Sequence, residues 1–176
     1  MLQQHLYREM YRTLLVAATI SSYPGAVAEK LTDAEMDAWQ ALLHAHEQIT
    51  TRLDAELKAE HGLTLSEYDV LLRLARAPQR SLRMTELAQR IMFSPSGLTR
   101  VVDRLEREGL VSRRRDSEDA RVVFATLTDK GRERLRAAAR THLRGIREHF
   151  TGRLTLAQLR NVASALQVIT GPHQPH

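Results

Sequence analysis

The sequence predicts a mainly α-helical protein carrying one small β-ribbon, and three observations support that class. Apolar residues recur at three- and four-residue spacing over most of the chain, the period of an amphipathic helix. Two short strand-like runs, residues 110–115 and 121–127, flank an acidic turn and read as a hairpin. Two short helices precede the hairpin, and longer helical stretches lie on both sides of the whole block. Helix, turn, helix and ribbon in that order form a winged helix-turn-helix core, flanked here by long N- and C-terminal dimerisation helices.

Residues 1–31 read as an N-terminal arm. Leu6, Met10 and Leu14 repeat at helical spacing beside Tyr7 and Tyr11, which predicts a short helix, and Ser21-Ser22-Tyr23-Pro24-Gly25 predicts a loop. Arg8 and Arg12 before the apolar run at 14–18 faintly resemble a secretion signal, but Glu9 and the brevity of the run oppose it. No run approaches the ~18 to 20 apolar residues of a membrane span, so a cytoplasmic protein without a membrane partner is expected.

Residues 32–62 are read as a dimerisation helix. Thr32-Asp33-Ala34-Glu35 has the form of a capping box, and Trp39, Leu42, Leu43, His46, Ile49, Leu53 and Leu57 form the apolar stripe. His61-Gly62 supplies the stop. The DNA-binding region is placed at 63–127. A second box, Ser66-Glu67-Tyr68-Asp69, is expected to open the next helix, with Tyr68, Leu71, Leu72 and Ala75 inward and Ala77-Pro78 ending it. A short helix is expected over 85–92.

The following helix carries the binding chemistry. Ser94 suits the N-cap and Pro95 the first helical position, while Leu98, Val101, Val102 and Leu105 form its inner stripe. Ser96, Gly97, Thr99, Arg100 and Arg104 remain on the outer face. Small residues at the N-terminal end allow close approach to DNA, the helix dipole there favours phosphate, and Thr99 and Arg100 are placed to reach base edges. In the ribbon, Arg113, Arg114 and Arg115 end one strand and Arg121 opens the other. Such arginines lie along phosphates or enter the minor groove, and Asp119 is expected to orient Arg121 or Arg115 through a charge-assisted pair.

Leu110-Val111-Ser112-Arg113, the Asp116…Asp119-Ala120-Arg121 turn and Leu127-Thr128-Asp129-Lys130-Gly131 resemble the wing and following helix of MarR-type regulators. Ser94-x-Ser96-x-x-Thr99-Arg100-x-Val102-x-x-Leu105-Glu106 is similar to that family's recognition helix. The resemblance covers roughly residues 32–170. It implies a dimeric winged-helix repressor, often released by a small molecule. The family usually has Asp-Arg-Arg where this chain has Asp119-Ala120-Arg121, so one of two expected basic contacts is absent.

Residues 128–170 supply the C-terminal dimerisation helices, and 171–176 form a tail. Thr128 is expected to cap a helix reaching about Phe150, with Leu135, Ala138, Ala139, His142, Leu143 and Ile146 on one face and Gly145 permitting a bend. Thr155-Leu156-Ala157-Gln158 opens a last helix that ends at Gly171-Pro172. Apolar stripes at both ends of a small domain need partners, which predicts a symmetric homodimer. Its two recognition helices would read an inverted repeat in double-stranded DNA, with half-sites about 10 bp apart.

Composition agrees with this assignment and narrows the alternatives. The net charge is +5, consistent with a polyanionic partner, and the absence of cysteine removes thiol-based peroxide sensing. There is no phosphate-binding glycine loop, His-Glu-x-x-His or nucleophile elbow, so no catalytic residue, enzyme activity or cofactor is assigned. No two histidines stand at i, i+4, so no metal ligands are assigned, and a metal-responsive regulator remains an alternative. A winged helix that docks proteins without reading DNA is the other alternative. In the family, effectors bind between the dimerisation helices and the reading head. Trp39, His46 and Tyr68 each pair an apolar body with a polar handle near that junction, and Asp69 falls at a position resembling one used by the urate-responsive branch. Trp39 sits on a different helix from that branch's tryptophan, so the resemblance favours an aromatic or phenolic acid over urate.

Overall fold

The computed structural model describes residues 31–91, 93–117, 119 and 121–171. The expected arm helix, the loop at 21–25, Ala120 and the tail beyond Gly171 lie outside them. Helices α1 (Asp33–His61), α2 (Leu65–Arg76), α3 (Met84–Ile91), α4 (Pro95–Arg107), α5 (Asp129–His149) and α6 (Leu156–Thr170) carry most of the chain. Strands β1 (Ser81–Arg83), β2 (Val111–Arg115) and β3 (Val123–Leu127) form one antiparallel sheet in the order β1-β3-β2. The architecture is the winged helix-turn-helix that the pattern predicts.

The caps set the helix boundaries. The chain divides into units at Gln40 and Ala41, and in the first the Glu35 carboxylate accepts from the Thr32 N–H at 2.7 Å while the Thr32 hydroxyl accepts from the Glu35 N–H at 3.3 Å. Ser94 accepts from Gly97 N–H at 3.1 Å, Thr128 from Gly131 N–H at 3.0 Å and Thr155 from Gln158 N–H at 3.3 Å. One box falls earlier than expected. Thr64, not Ser66, caps α2, with Glu67 reaching back to the Thr64 N–H at 2.7 Å. Thr64 has the extended backbone an N-cap needs, whereas Ser66 already lies inside the first turn.

Strand β1 was not legible from periodicity. Its three residues pair with β3 in the register Ser81↔Thr126, Leu82↔Ala125 and Arg83↔Phe124. The chain reaches it through Gln79 and Arg80, both in the left-handed region at φ 52° and 58°. Only one β1 side chain, Leu82, is buried, so no alternation announces the strand.

The core lies where α2, α3, α4 and the sheet meet. Leu57, Leu63, Leu71, Leu74, Leu87, Leu98, Leu105 and Leu110 are fully buried, and each contributes about 2 kcal/mol relative to exposure. At Gly145 the expected bend gives way to close packing. A Cβ there would lie 2.6 Å from Leu53 Cδ2 and 2.7 Å from Glu56 Oε2, so the glycine lets α5 approach α1. The outer helices are less covered: among the described residues α6 buries none, Leu143, Leu156, Val168 and Ile169 are exposed, and of the predicted α1 stripe only Leu53 and Leu57 are buried.

Candidate nucleic-acid interface

Helix α4 presents its outer face because its inner one is occupied. Leu98, Val102 and Leu105 are buried, which turns Ser96, Thr99 and Arg100 to the exposed side, with Gly97 half-buried at the cap. Among the described residues Arg100 has no ion-pair partner, so its guanidinium can be committed to a ligand.

Two other predicted arginines are committed to the protein. Arg113 Nη1 lies 2.5 Å from Asp103 Oδ1 and 3.0 Å from Glu106 Oε2, and Nη2 donates to the Thr99 carbonyl at 3.2 Å. Its backbone N–H also donates to Glu106 Oε1 at 3.0 Å. Arg113 is therefore the strap that fixes the wing to α4. Arg104 Nε lies 3.1 Å from Glu67 Oε1 and 3.3 Å from Glu108 Oε1, and its Nη2 donates to the Gly62 carbonyl at 3.0 Å. The Glu67 side chain is 4% exposed, and an unpaired carboxylate there would be costly. Both arginines hold the reading elements in place through these pairs.

The wing offers a different set. Arg114 and Arg115 are exposed on β2, and Arg121 is exposed at the start of the return. Phe124 lies between two guanidiniums, with Arg114 at 5.3 Å and Arg83 at 5.8 Å from its ring centroid. The register explains this, since Arg83 and Arg114 both stand opposite Phe124 on its two neighbouring strands. Arg83 was missed because β1 was missed. Asp119 shapes the turn: Oδ1 accepts from the Arg121 backbone N–H at 2.9 Å, and among the described residues no ion pair joins it to an arginine guanidinium.

Between α4 and the wing lies a groove of about 400 Å³ whose lining includes Thr85, Thr99, Arg83, Arg113 and Arg121 over Val122 and Val123. It gathers three arginines above an apolar floor.

The residues expected to hold an effector do not line that groove. Trp39 and His46 are exposed on α1. Tyr68 is buried on α2 with its ring centroid 4.5 Å from that of His142, and Asp69 pairs with Arg73 at 3.3 Å. Burial pushes the His142 imidazole below the ordinary histidine value, with Asp69 opposing, and its Nδ1 has no hydrogen-bond partner. A base whose folded pKa is lowered contributes stability that is present above its unfolded pKa of about 6.5 and is lost as pH falls toward the folded value. His142→Phe is expected to flatten the dependence of the urea midpoint on pH below about 6.5. An unchanged slope in that window would assign the acid sensitivity to other groups.

A recognition helix with an exposed arginine, strapped to an arginine-bearing wing, defines a winged-helix DNA-binding protein. The MarR family model matches residues 61–122. An uncharacterised HTH-type transcriptional regulator of Bacillus subtilis, YkoM, is 31% identical over 125 residues, covering 70% of this chain and 79% of the relative. The crystal structure of AbsC, a MarR family regulator from Streptomyces coelicolor, matches with 34% identity and a TM-score of 0.74, over 81% of this chain and 96% of that one. Sco3205, a second MarR family regulator from Streptomyces coelicolor, solved in complex with DNA, matches with 35% identity and a TM-score of 0.75, over 83% and 95%. The chain belongs to the MarR family. It is a DNA-binding transcriptional regulator, and these relatives are regulators, not enzymes.

Proposed function

We propose that the protein is a cytoplasmic homodimeric repressor that binds an inverted-repeat operator and is released by a small aromatic or phenolic acid. The observation that carries this reading is Arg100 exposed on the outer face of α4 beside a wing bearing Arg114, Arg115 and Arg121. Arg100 reads base edges, and the wing arginines, with Arg83, neutralise phosphates. Ser96 and Gly97, near the helix N-terminus, let the backbone come close to the DNA. The exposed apolar residues of α6 and Leu143 are the surface that a second copy covers.

Release has a physical route in the groove between α4 and the wing. Its volume suits a single-ring acid, with Val122 and Val123 against the ring and Arg83 and Arg121 toward the carboxylate. An acid seated there neutralises charges that phosphates require. Trp39, His46, Tyr68 and Asp69 are proposed as further effector contacts.

Footprinting tests the reading together with mass measurement. A dimer protecting two symmetric half-sites about 10 bp apart is expected; a monomer protecting a single half-site would overturn it. Arg121→Ala should weaken operator and random DNA alike and reduce the slope of log K against log salt by about 0.9 for each phosphate left unneutralised. An unchanged slope would remove Arg121 from the phosphate-binding set.

A further inference from the structure

We propose that Glu56, Glu148 and His149 form a binding site for one divalent transition-metal ion. Glu56 lies on α1, and Glu148 and His149 are the last two residues of α5. One ligand atom from each lies within 4.8 Å of the other two. The site is independent of the DNA-binding reading.

Two of the three groups meet in a largely buried contact. The His149 side chain is 8% exposed, and its Nε2 contacts Glu56 Oε1. Its Nδ1 and Glu56 Oε2 have no hydrogen-bond partner although both atoms are buried. Buried polar atoms normally find partners, and Glu56 Oε2 stands unmet on the very carboxylate that His149 Nε2 touches, whereas Nδ1 lies on the far side of the ring. Glu148, the third member of the cluster, is exposed to solvent.

Gly145 makes room for this arrangement. It lies one turn before His149 on the same face of α5, and a Cβ there would come within 2.7 Å of Glu56 Oε2. The missing side chain admits the Glu56 carboxylate against α5.

The donor set selects the ion. One imidazole with two carboxylates suits zinc, manganese, cobalt or nickel better than magnesium or calcium, which prefer oxygen alone. Three protein ligands leave a position for water. On binding, the ion takes the place of the proton shared by His149 Nε2 and Glu56 Oε1, and that proton passes to solvent. The bound ion then joins α1 to α5. Helical spacing could not reveal the site, because Glu56 and His149 are 93 residues apart in sequence and meet only through packing.

Full-length protein stripped with a chelator and titrated with zinc chloride tests this by calorimetry and thermal unfolding, with magnesium chloride as the comparison. One zinc per chain is expected, with a rise in Tm of about 5 °C at a hundredfold excess over Kd. His149→Ala should abolish the binding, and Glu148→Gln should weaken it about tenfold or more. Glu148 is exposed, so that variant tests the site even where His149→Ala fails to fold. His44→Ala, elsewhere on α1, should bind zinc as the parent does. Absence of saturable zinc binding, or parental binding in both the His149 and Glu148 variants, would overturn the proposal.

Discussion

Arg100→Ala is expected to weaken operator binding by about ten- to a hundredfold while changing affinity for random DNA much less. Removing one base-edge interaction costs ~1 to 3 kcal/mol, and that cost falls only on the sequence that is read. Arg100 is suited to the role because the inner stripe of α4 is buried and no acidic partner among the described residues holds it. Arg113→Ala provides the contrast. Removing the strap to Asp103 and Glu106 frees the wing from α4, so affinity should fall on both kinds of DNA. Parallel anisotropy titrations on operator and scrambled duplex separate the two effects. Equal losses on both duplexes for Arg100→Ala would take it out of the base-reading set.

Gly131→Ala should be the most damaging glycine-to-alanine change among the described glycines. A Cβ at that position would lie 2.1 Å from the Leu110 carbonyl oxygen and 2.7 Å from Leu127 Cδ1. The first clash is with backbone that cannot swing aside, because the same carbonyl accepts from the Thr128 N–H at 3.1 Å and from the Thr128 hydroxyl at 3.1 Å. Relief requires α5 to move away from the start of the wing. A loss of about 3 kcal/mol in unfolding free energy is expected, with a fall in affinity for all DNA. Gly62→Ala is the useful comparison: φ is +67° there but a Cβ would meet nothing within 4 Å, so only backbone strain of about 1 kcal/mol applies. Urea unfolding of both variants measures the difference, and equal midpoints would contradict the packing argument.

These two sites show what the sequence disclosed and what it withheld. The α4 cap, the inner stripe of Leu98, Val102 and Leu105, and the hairpin were legible because each rests on local spacing. Arg100 could be placed on the exposed face by subtraction once that stripe was fixed. Arg104 and Arg113 could not be sorted from Arg114 by pattern, since their partners Glu67 and Asp103 become neighbours only in the folded chain. Strand β1 was hidden for a related reason. Three residues entered through two left-handed non-glycine positions carry no periodic signal, and with β1 went Arg83 and its stacking on Phe124. The glycine of the Leu127-Thr128-Asp129-Lys130-Gly131 motif was visible as a resemblance, but its cause is the Leu110 carbonyl packed against it.

This chain is proposed to read DNA sequence through α4 as a dimer. Fluorescence anisotropy of the purified protein against its own upstream DNA and a scrambled duplex, over several salt concentrations and with stoichiometry measured, tests it most directly. Two chains per duplex are expected, with affinity for the upstream DNA at least a thousandfold higher, on the order of the usual specific to non-specific ratio. Equal, weak and salt-sensitive binding to both duplexes would contradict the claim and leave a basic winged helix that does not discriminate sequence.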